Sequence, residues 1–186
     1  MNLIEKAGIF ALNKHDGQTR KFSGESYIVH PRAVRDLLED VYDITDENLL
    51  AAALLHDTIE DTNTTWKELE DEFNFEVAFL VWEVTKIKTV GKRKERWVKY
   101  LQHYREATHK GQLLKLAHRI CNLQDYIDDF DLLDEQTCEF LMNVYLIESR
   151  DLYWTLYKCN KKVSDDLFSK IAYLEDKIHE KYKIGH

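Results

Sequence analysis

Proline and glycine are scarce in this sequence of 186 residues, which contains one proline and six glycines. Turns and linkers depend on these two residue types, so their scarcity argues against a β-rich or multi-domain chain. Hydrophobic residues make up 44% of the sequence, enough for a substantial core. The composition therefore predicts long helices and short connections, in one domain or one domain with a helical extension.

Cysteine pairs, long apolar runs and an excess of positive charge are also missing. The three cysteines are far apart and form no CxxC pair, which disfavours a disulfide framework or a zinc ribbon and favours the reducing cytoplasm. No apolar run approaches about 20 residues, and the N-terminus lacks a signal-peptide pattern, so no membrane span is expected. The net charge of −8 disfavours general nucleic-acid binding.

The most informative stretch is an apolar segment that runs into His56, Asp57, Glu60 and Asp61. On a helix these four positions share one face, because residues three and four apart are neighbours. Buried charges need partners, and a divalent cation such as Mn, Fe or Zn suits imidazole combined with carboxylate. From these residues alone, a metal site and a helix end whose acids cap or pair with nearby basic residues remain equally open.

Hydrophobic spacing predicts an all-α fold. The predicted helices span 2–14, 31–41, a segment from Asp46 through His56 and Asp57, 66–73, 75–86, 112–127, 134–160 and 164–183. The expected N-caps are Asp46, Thr65, Asp134 and Ser164. Pro31 suits the first position of its helix, which would leave His30 extended at the loop-to-helix junction. Aromatic side chains of the last two helices, including Tyr145, Tyr153, Trp154 and Tyr157, are expected to pack in the core.

Residues 86–99 reverse the sign of the chain, with seven Lys or Arg against one Glu. Such a run is commonly a solvated face, but it can also be a lip that attracts anions to a site. The residues alone favour neither interpretation.

Five separated motifs resemble the hydrolase domain of RelA/SpoT-type proteins, which belongs to the HD-domain phosphohydrolase superfamily. The motifs are His15-Asp16-Gly17-Gln18-x-Arg20-Lys21, Ser23-Gly24-Glu25-x-Tyr27-Ile28-x-His30-Pro31, Ala53-Leu54-Leu55-His56-Asp57-x-x-Glu60-Asp61-Thr62, Val84-Thr85-Lys86 and Lys115-Leu116-Ala117-x-Arg119-x-x-Asn122-Leu123. The resemblance covers residues 5 to 127. It implies a single HD-type helical bundle over 1–186, completed by the helices of 134–183, and a stand-alone small alarmone hydrolase.

The resemblance also implies a role for each matched residue. One Mn ion would be held by His30, His56, Asp57 and the residue at position 118, and Glu60 and Asp61 would form the catalytic pair. The implied substrate contacts are Arg20, Lys21, Ser23, Lys115 and Asn122. The family reaction removes the 3′-pyrophosphate from (p)ppGpp and leaves GDP or GTP. Some single-domain members act on other nucleotides, including NADPH at its 2′-phosphate.

Three residues depart from the family pattern. His118 stands where the family has a metal-binding aspartate, which could shift the metal toward Zn, Fe or Ni or weaken its binding. Phe22 is inserted after Lys21, and Ser26 replaces a common proline. We therefore expect a metal-dependent nucleotide phosphohydrolase with a small nucleotide substrate, (p)ppGpp first. The alternatives are a hydrolase of NADPH or ppApp, and an impaired protein that binds a nucleotide or a partner without turnover.

Overall fold

Helices account for nearly all regular structure in the computed structural model, which describes residues 1–86 and 89–182. The eleven α-helices of these residues are α1 Leu3–Lys14, α2 Val29–Asp36, α3 Glu47–Leu55, α4 Thr58–Asp61, α5 Trp66–Glu72, α6 Phe75–Val84, α7 Arg93–Glu106, α8 His109–Asp128, α9 Glu135–Phe140, α10 Leu146–Leu156 and α11 Lys161–Tyr182. Within the described ranges, extended backbone pairs only at an isolated bridge between Thr19 and Ser26. The all-α prediction is confirmed, and none of the described helices is long and apolar enough to cross a membrane.

Two central helices organise the core. Every residue of α3 from Leu49 to Leu55 is buried, and α3 packs against α1, α2, α6 and α8. The longer α8 packs against α2, α3, α6, α7, α10 and α11. A helix that is apolar on all sides must lie inside the protein, so the polar residues that follow Leu55 begin in the interior.

Side-chain caps determine where several helices begin. Asp46, Thr65 and Asp134 each accept a hydrogen bond from a first-turn backbone N–H, as predicted. The prediction of Ser164 as a cap is wrong. Helix α11 starts earlier, at Lys161, and its first-turn amide at Val163 donates to Asn160 Oδ1 at 3.2 Å.

The helix boundaries around the polar stretch differ from the prediction. Helix α2 begins at Val29, so His30 is helical and not extended. Proline is tolerated at the next position because first-turn amides have no partner within the helix. The predicted uninterrupted helix through His56 is also wrong, because α3 ends at Leu55 and residues 56–57 form a turn before α4.

Other differences concern the second half of the chain. The basic segment contains a helix that the sequence did not predict, α7, whose buried residues are Trp97 and Tyr104. Its many Lys and Arg side chains obscure this narrow apolar stripe. The helix predicted over 134–160 is divided into α9 and α10 by a π-helical turn, Leu141–Tyr145. Lys88 of the basic segment and the last residue of the predicted helix 164–183 lie outside the described residues.

Candidate active site

Four buried side chains from three separate parts of the chain converge where α2, α3 and α8 meet. His30 comes from α2, His56 and Asp57 from the turn after α3, and His118 from α8. Each offers one ligand atom, and these four atoms lie within 4.8 Å of one another. The ring centroids of His56 and His118 are 4.4 Å apart. A group of this size and composition could hold one metal ion.

The hydrogen bonds of the histidine rings support this interpretation. His56 Nδ1 lies 2.8 Å from the carbonyl oxygen of Ala53, so Nδ1 donates and Nε2 keeps its lone pair. His56 Nε2 lies 3.0 Å from Asp57 Oδ2, but neither this buried atom nor Nε2 of His30 makes a hydrogen bond of suitable geometry within the described residues. Buried polar atoms without a partner are rare, and a metal ion would provide one here. Three imidazoles and one carboxylate are a suitable donor set for a first-row divalent metal.

The protonation states also suit metal binding, which requires neutral histidine and ionised aspartate. Burial lowers the pKa of His30, and burial together with the nearby His56 lowers that of His118 well below its ordinary value. Burial alone would raise the pKa of Asp57. The neighbouring imidazoles, led by His56, outweigh burial and hold that pKa well below its ordinary value.

Two residues that the sequence did not single out, Tyr27 and Asp125, contact the side chains of the cluster. The hydroxyl of Tyr27 donates to Asp57 Oδ2 at 2.6 Å and lies 3.2 Å from Asp61 Oδ2. His30 Nδ1 lies 3.2 Å from Asp125 Oδ2, and Asp125 also forms an ion pair with Arg20. Partners of this kind orient metal ligands. Asp125 could have been found from its helical spacing, because it lies seven residues after His118 on α8.

A short loop positions Tyr27. Gly17 and Gly24 have φ angles of 75° and 72°, which residues other than glycine rarely adopt. The loop between them turns back so that the Tyr27 amide donates to the Gln18 carbonyl at 3.0 Å. His15 stacks on the Tyr27 ring at 4.6 Å and is buried, in line with a structural histidine.

The predicted catalytic carboxylates lie on α4. Glu60 Oε1 accepts a hydrogen bond from the Lys86 amide at 2.7 Å, and Oε2 accepts one from Lys86 Nζ at 3.0 Å. Burial and the adjacent Asp57 carboxylate raise the pKa of Asp61. One carboxylate is thus held by a cation, while the other holds a proton more readily than usual.

A cavity of about 440 Å³ joins these groups to the basic segment. One wall contains Asp57, His118 and the carboxylates of α4. The remaining lining residues form what we call the cationic wall; its basic residues are Lys86, Arg93, Arg96, Lys115 and Arg119, and its aromatic residues include Trp97, Tyr100, Tyr126, Phe140 and Tyr145. Lys92, Lys94 and Lys99 of the basic run are exposed, whereas three other basic residues of the run line the cavity, so both interpretations of the run stay open.

The C-terminal aromatic residues do not all behave as expected. Tyr145 packs against the core but also lines the cavity. The prediction of core packing is wrong for Trp154 and Tyr157, which are 63% and 42% exposed.

The residues predicted to contact substrate are divided between two cavities. Lys115 and Asn122 line the main cavity. Arg20 and Lys21 line a neighbouring cavity of about 260 Å³, which shares Tyr27, Asn122 and Tyr126 with the first. The inserted Phe22 also lines this smaller cavity and packs on Tyr126 at 5.9 Å.

Ser23 is exposed and lines neither of these two cavities. Its hydroxyl accepts a hydrogen bond from the Glu25 amide at 3.4 Å. A direct substrate contact through Ser23 therefore has no support in this geometry.

An all-α bundle with a His-Asp turn at its centre and a converging His, His, Asp, His cluster defines the class of protein. The family model described as HD domain matches residues 7–145. This chain therefore belongs to the HD-domain family.

The curated relatives include enzymes named guanosine-3′,5′-bis(diphosphate) 3′-pyrophosphohydrolase MESH1. The protein of Xenopus tropicalis is 43% identical over 124 residues, which cover 66% of this chain and 69% of the relative. The Homo sapiens protein is 44% identical over 126 residues, with coverage of 66% and 68%. The Drosophila melanogaster protein is 33% identical over 175 residues, which cover 94% of this chain and 89% of the relative.

A solved structure agrees with these relatives. It is described as a metazoan ortholog of SpoT that hydrolyzes ppGpp, and it matches with a TM-score of 0.78 and 26% identity. The match covers 97% of this chain and 96% of that one. The resemblance to RelA/SpoT-type hydrolase domains and the HD-type fold are thereby confirmed.

Proposed function

We propose that this protein is a metal-dependent nucleotide hydrolase that removes the 3′-pyrophosphate from (p)ppGpp and leaves GDP or GTP. The main support for this function is the set of residues that line the larger cavity. Two members of the cluster, Asp57 and His118, line one cavity together with the carboxylates of α4 and several cations, in a chain similar to MESH1 along 94% of its length. The nucleotide substrate is small and polar, and we place the reaction in the cytoplasm.

The metal would be held by His30, His56, Asp57 and His118. A divalent ion there supplies Lewis acidity, which activates water and polarises a phosphoryl oxygen. We propose Mn from the family resemblance. Zn, Fe or Ni are the alternatives, because His118 adds an imidazole and removes one negative charge relative to an aspartate.

The carboxylates of α4 would manage the proton of the attacking water. Asp61 suits the role of acceptor, because its raised pKa lets it take a proton at neutral pH more readily than an ordinary aspartate. Tyr27 holds Asp57 and Asp61 in a fixed relation by contacting both carboxylates. Glu60, gripped at both oxygens by Lys86, would orient the water.

The two cavities suit the two halves of a nucleotide. The cationic wall, with Lys115, suits the phosphate groups. The smaller cavity combines the Arg20 guanidinium with aromatic rings, which suits a planar base. Lys21 and Asn122 would complete this contact, whereas we no longer assign one to Ser23.

The test is a nucleotide panel with product masses. Purified protein would be analysed for metal content and then incubated with ppGpp, pppGpp, ppApp and NADPH, with Mn added in parallel. We expect GDP or GTP plus pyrophosphate, and no product from Asp57→Asn as the inactive control. Release of phosphate from NADPH while ppGpp stays intact would overturn the proposed substrate, because the leaving groups differ.

A catalytically impaired nucleotide-binding protein is the second candidate, and it rests on His118. The substitution His118→Asp restores the donor set of the family. If His118 is a working ligand, we expect this variant to lower activity with the metal that copurifies with the wild type. A large gain with Mn, starting from an inactive wild type that binds ppGpp tightly, would instead establish the impaired enzyme.

A further inference from the structure

Arg119 on α8 is a buried cation in the wall of the main cavity. It is 7% exposed, and its guanidinium lies close to two aromatic rings. Its Cζ atom is 5.5 Å from the ring centroid of Trp97 on α7 and 4.4 Å from that of Tyr145. Nη1 donates weakly to Ser149 Oγ at 3.4 Å. Three parts of the chain therefore hold one guanidinium at the cavity.

No carboxylate balances this charge within the part of the chain that the structure describes. None of its Asp or Glu oxygens lies within 4.0 Å of an Arg119 nitrogen, whereas Arg93 in the same cavity has a two-point contact with Glu148 at 2.8 and 2.9 Å. Lys115, one turn before Arg119, is in a similar position. Its Nζ donates to the Val84 carbonyl at 3.1 Å and lies 4.4 Å from the centroid of the Tyr104 ring.

A buried cation without a counter-charge is costly, and a ligand anion would supply what the protein lacks. We propose that Arg119 is a substrate-binding residue, which receives a phosphate or diphosphate group of the nucleotide. The identity of that nucleotide rests on the proposed function, but the anion-binding role does not. The planar guanidinium can bind phosphate oxygens at two points. Its contacts with Trp97, Tyr145 and Ser149 restrict its motion before the ligand arrives.

If Arg119 binds phosphate, the segment after α8 takes part in substrate binding. The resemblance in the sequence ends near residue 127, and the function of the later helices does not follow from the motifs. Tyr145 and Ser149 both belong to that later segment, at the end of the π-helical turn and on α10. They contact Arg119 directly, so the later segment would complete the phosphate-binding wall.

The test uses Arg119→Met and inorganic pyrophosphate as the probe. Calorimetric titration would use protein as purified, without added metal, since free metal binds pyrophosphate itself. We expect the affinity to fall by about tenfold to a hundredfold, the range for hydrogen bonds to a charged group. We also expect Tm to stay the same or rise, because the variant removes a buried charge that lacks a counter-ion.

Arg96→Met is the matched control. Arg96 lines the same cavity but is partly exposed, and its Nη1 donates to the Gly91 carbonyl at 2.9 Å. Water screens its charge, so we expect a loss of about threefold or less. An Arg119→Met effect no larger than that of Arg96→Met would overturn the proposal, as would a drop in Tm with unchanged pyrophosphate affinity.

If Arg119→Met fails to fold, Arg119→Lys decides the question. It keeps the charge but loses the planar fork, so pyrophosphate should bind more weakly than to the wild type and still measurably. Wild-type affinity in Arg119→Lys would reject the two-point contact. Pyrophosphate binding needs no turnover. If the wild type binds pyrophosphate through Arg119 but leaves ppGpp intact, the proposed function is wrong and the role of Arg119 in anion binding still stands.

Discussion

The two walls of the main cavity differ in the charge of their buried side chains and in what surrounds those side chains. On the metal side, protein atoms already orient the side chains: the Ala53 carbonyl holds His56, and Tyr27 holds Asp57. On the cationic side, the buried Lys115 and Arg119 contact rings and neutral oxygens. The Glu60 and Asp57 carboxylates attract the Lys115 charge but do not offset the effect of its burial. We propose that the metal side receives a cation and that the cationic side receives an anion. A metal ion and a phosphorylated ligand would each balance one wall.

The largest expected effect is on the metal side, where we expect the loss of the Asp125 carboxylate next to His30 to weaken metal binding. Asp125→Ala removes the carboxylate that faces His30 Nδ1, and loss of such a partner typically lowers metal affinity about 10- to 100-fold. Metal titration with a competing chelator would measure it. Asp128→Ala is the control, since this exposed residue of the same helix contacts Gln124 and not the cluster. Equal metal affinity in both variants would mean that Asp125 does not support the site.

An effect on the order of tenfold is expected on the cationic side from pH. Burial lowers the pKa of Lys115 to about 7. Protonated Lys115 attracts phosphate, so pyrophosphate affinity should fall as pH rises through about 7. Calorimetry on either side of that pH, in wild type and Lys115→Met, would measure the difference. The variant corrects for titration of pyrophosphate itself, and an identical pH dependence in both proteins would contradict the assignment.

The lowered pKa of Lys115 also makes the stability of the folded protein depend on pH. Between about 7 and 10.5, the folded protein has lost the Lys115 proton while the unfolded chain still binds it. The free energy of unfolding contributed by this group therefore rises with pH across that window. Below about 7 both states carry the proton, and the full cost of burying the charge is present.

The smallest effect should be at the junction of the two walls, where Lys86 grips Glu60. The Lys86 side chain is 49% exposed, and exposed ion pairs contribute at most about 1 kcal/mol. Lys86→Met should therefore lower kcat by about fivefold or less, with KM for the nucleotide nearly unchanged, because the Lys86 amide still holds Glu60. Lys94→Met on the exposed part of α7 is the control. A rise in KM without a change in kcat would show that Lys86 acts by binding substrate and not through its contact with Glu60.

Local sequence signals predicted the metal side better than the cationic side. The His-Asp turn follows an apolar helix, and the motif around His30 and the stripe of α8 with His118 and Asn122 are visible in the residues. The Asp46 cap and the core of α3 follow from local pattern in the same way. Local pattern did not predict that His30 is helical or that the helix breaks at His56. These boundaries depend on which hydrogen-bond partners the backbone amides of the first turn and the carbonyls of the last turn have in the folded protein.

By itself, the sequence determined an all-helical chain and a central apolar helix that ends in His and Asp, and its resemblance to a known family singled out the four residues of the buried cluster. These features depend on spacing within one helix or one motif, which the order of residues specifies directly. Only the tertiary structure decided that α7 forms, that Tyr145 and Trp97 contact Arg119, and that Asp125 faces His30. Those contacts join segments distant in the chain, and the packing of whole helices sets their geometry.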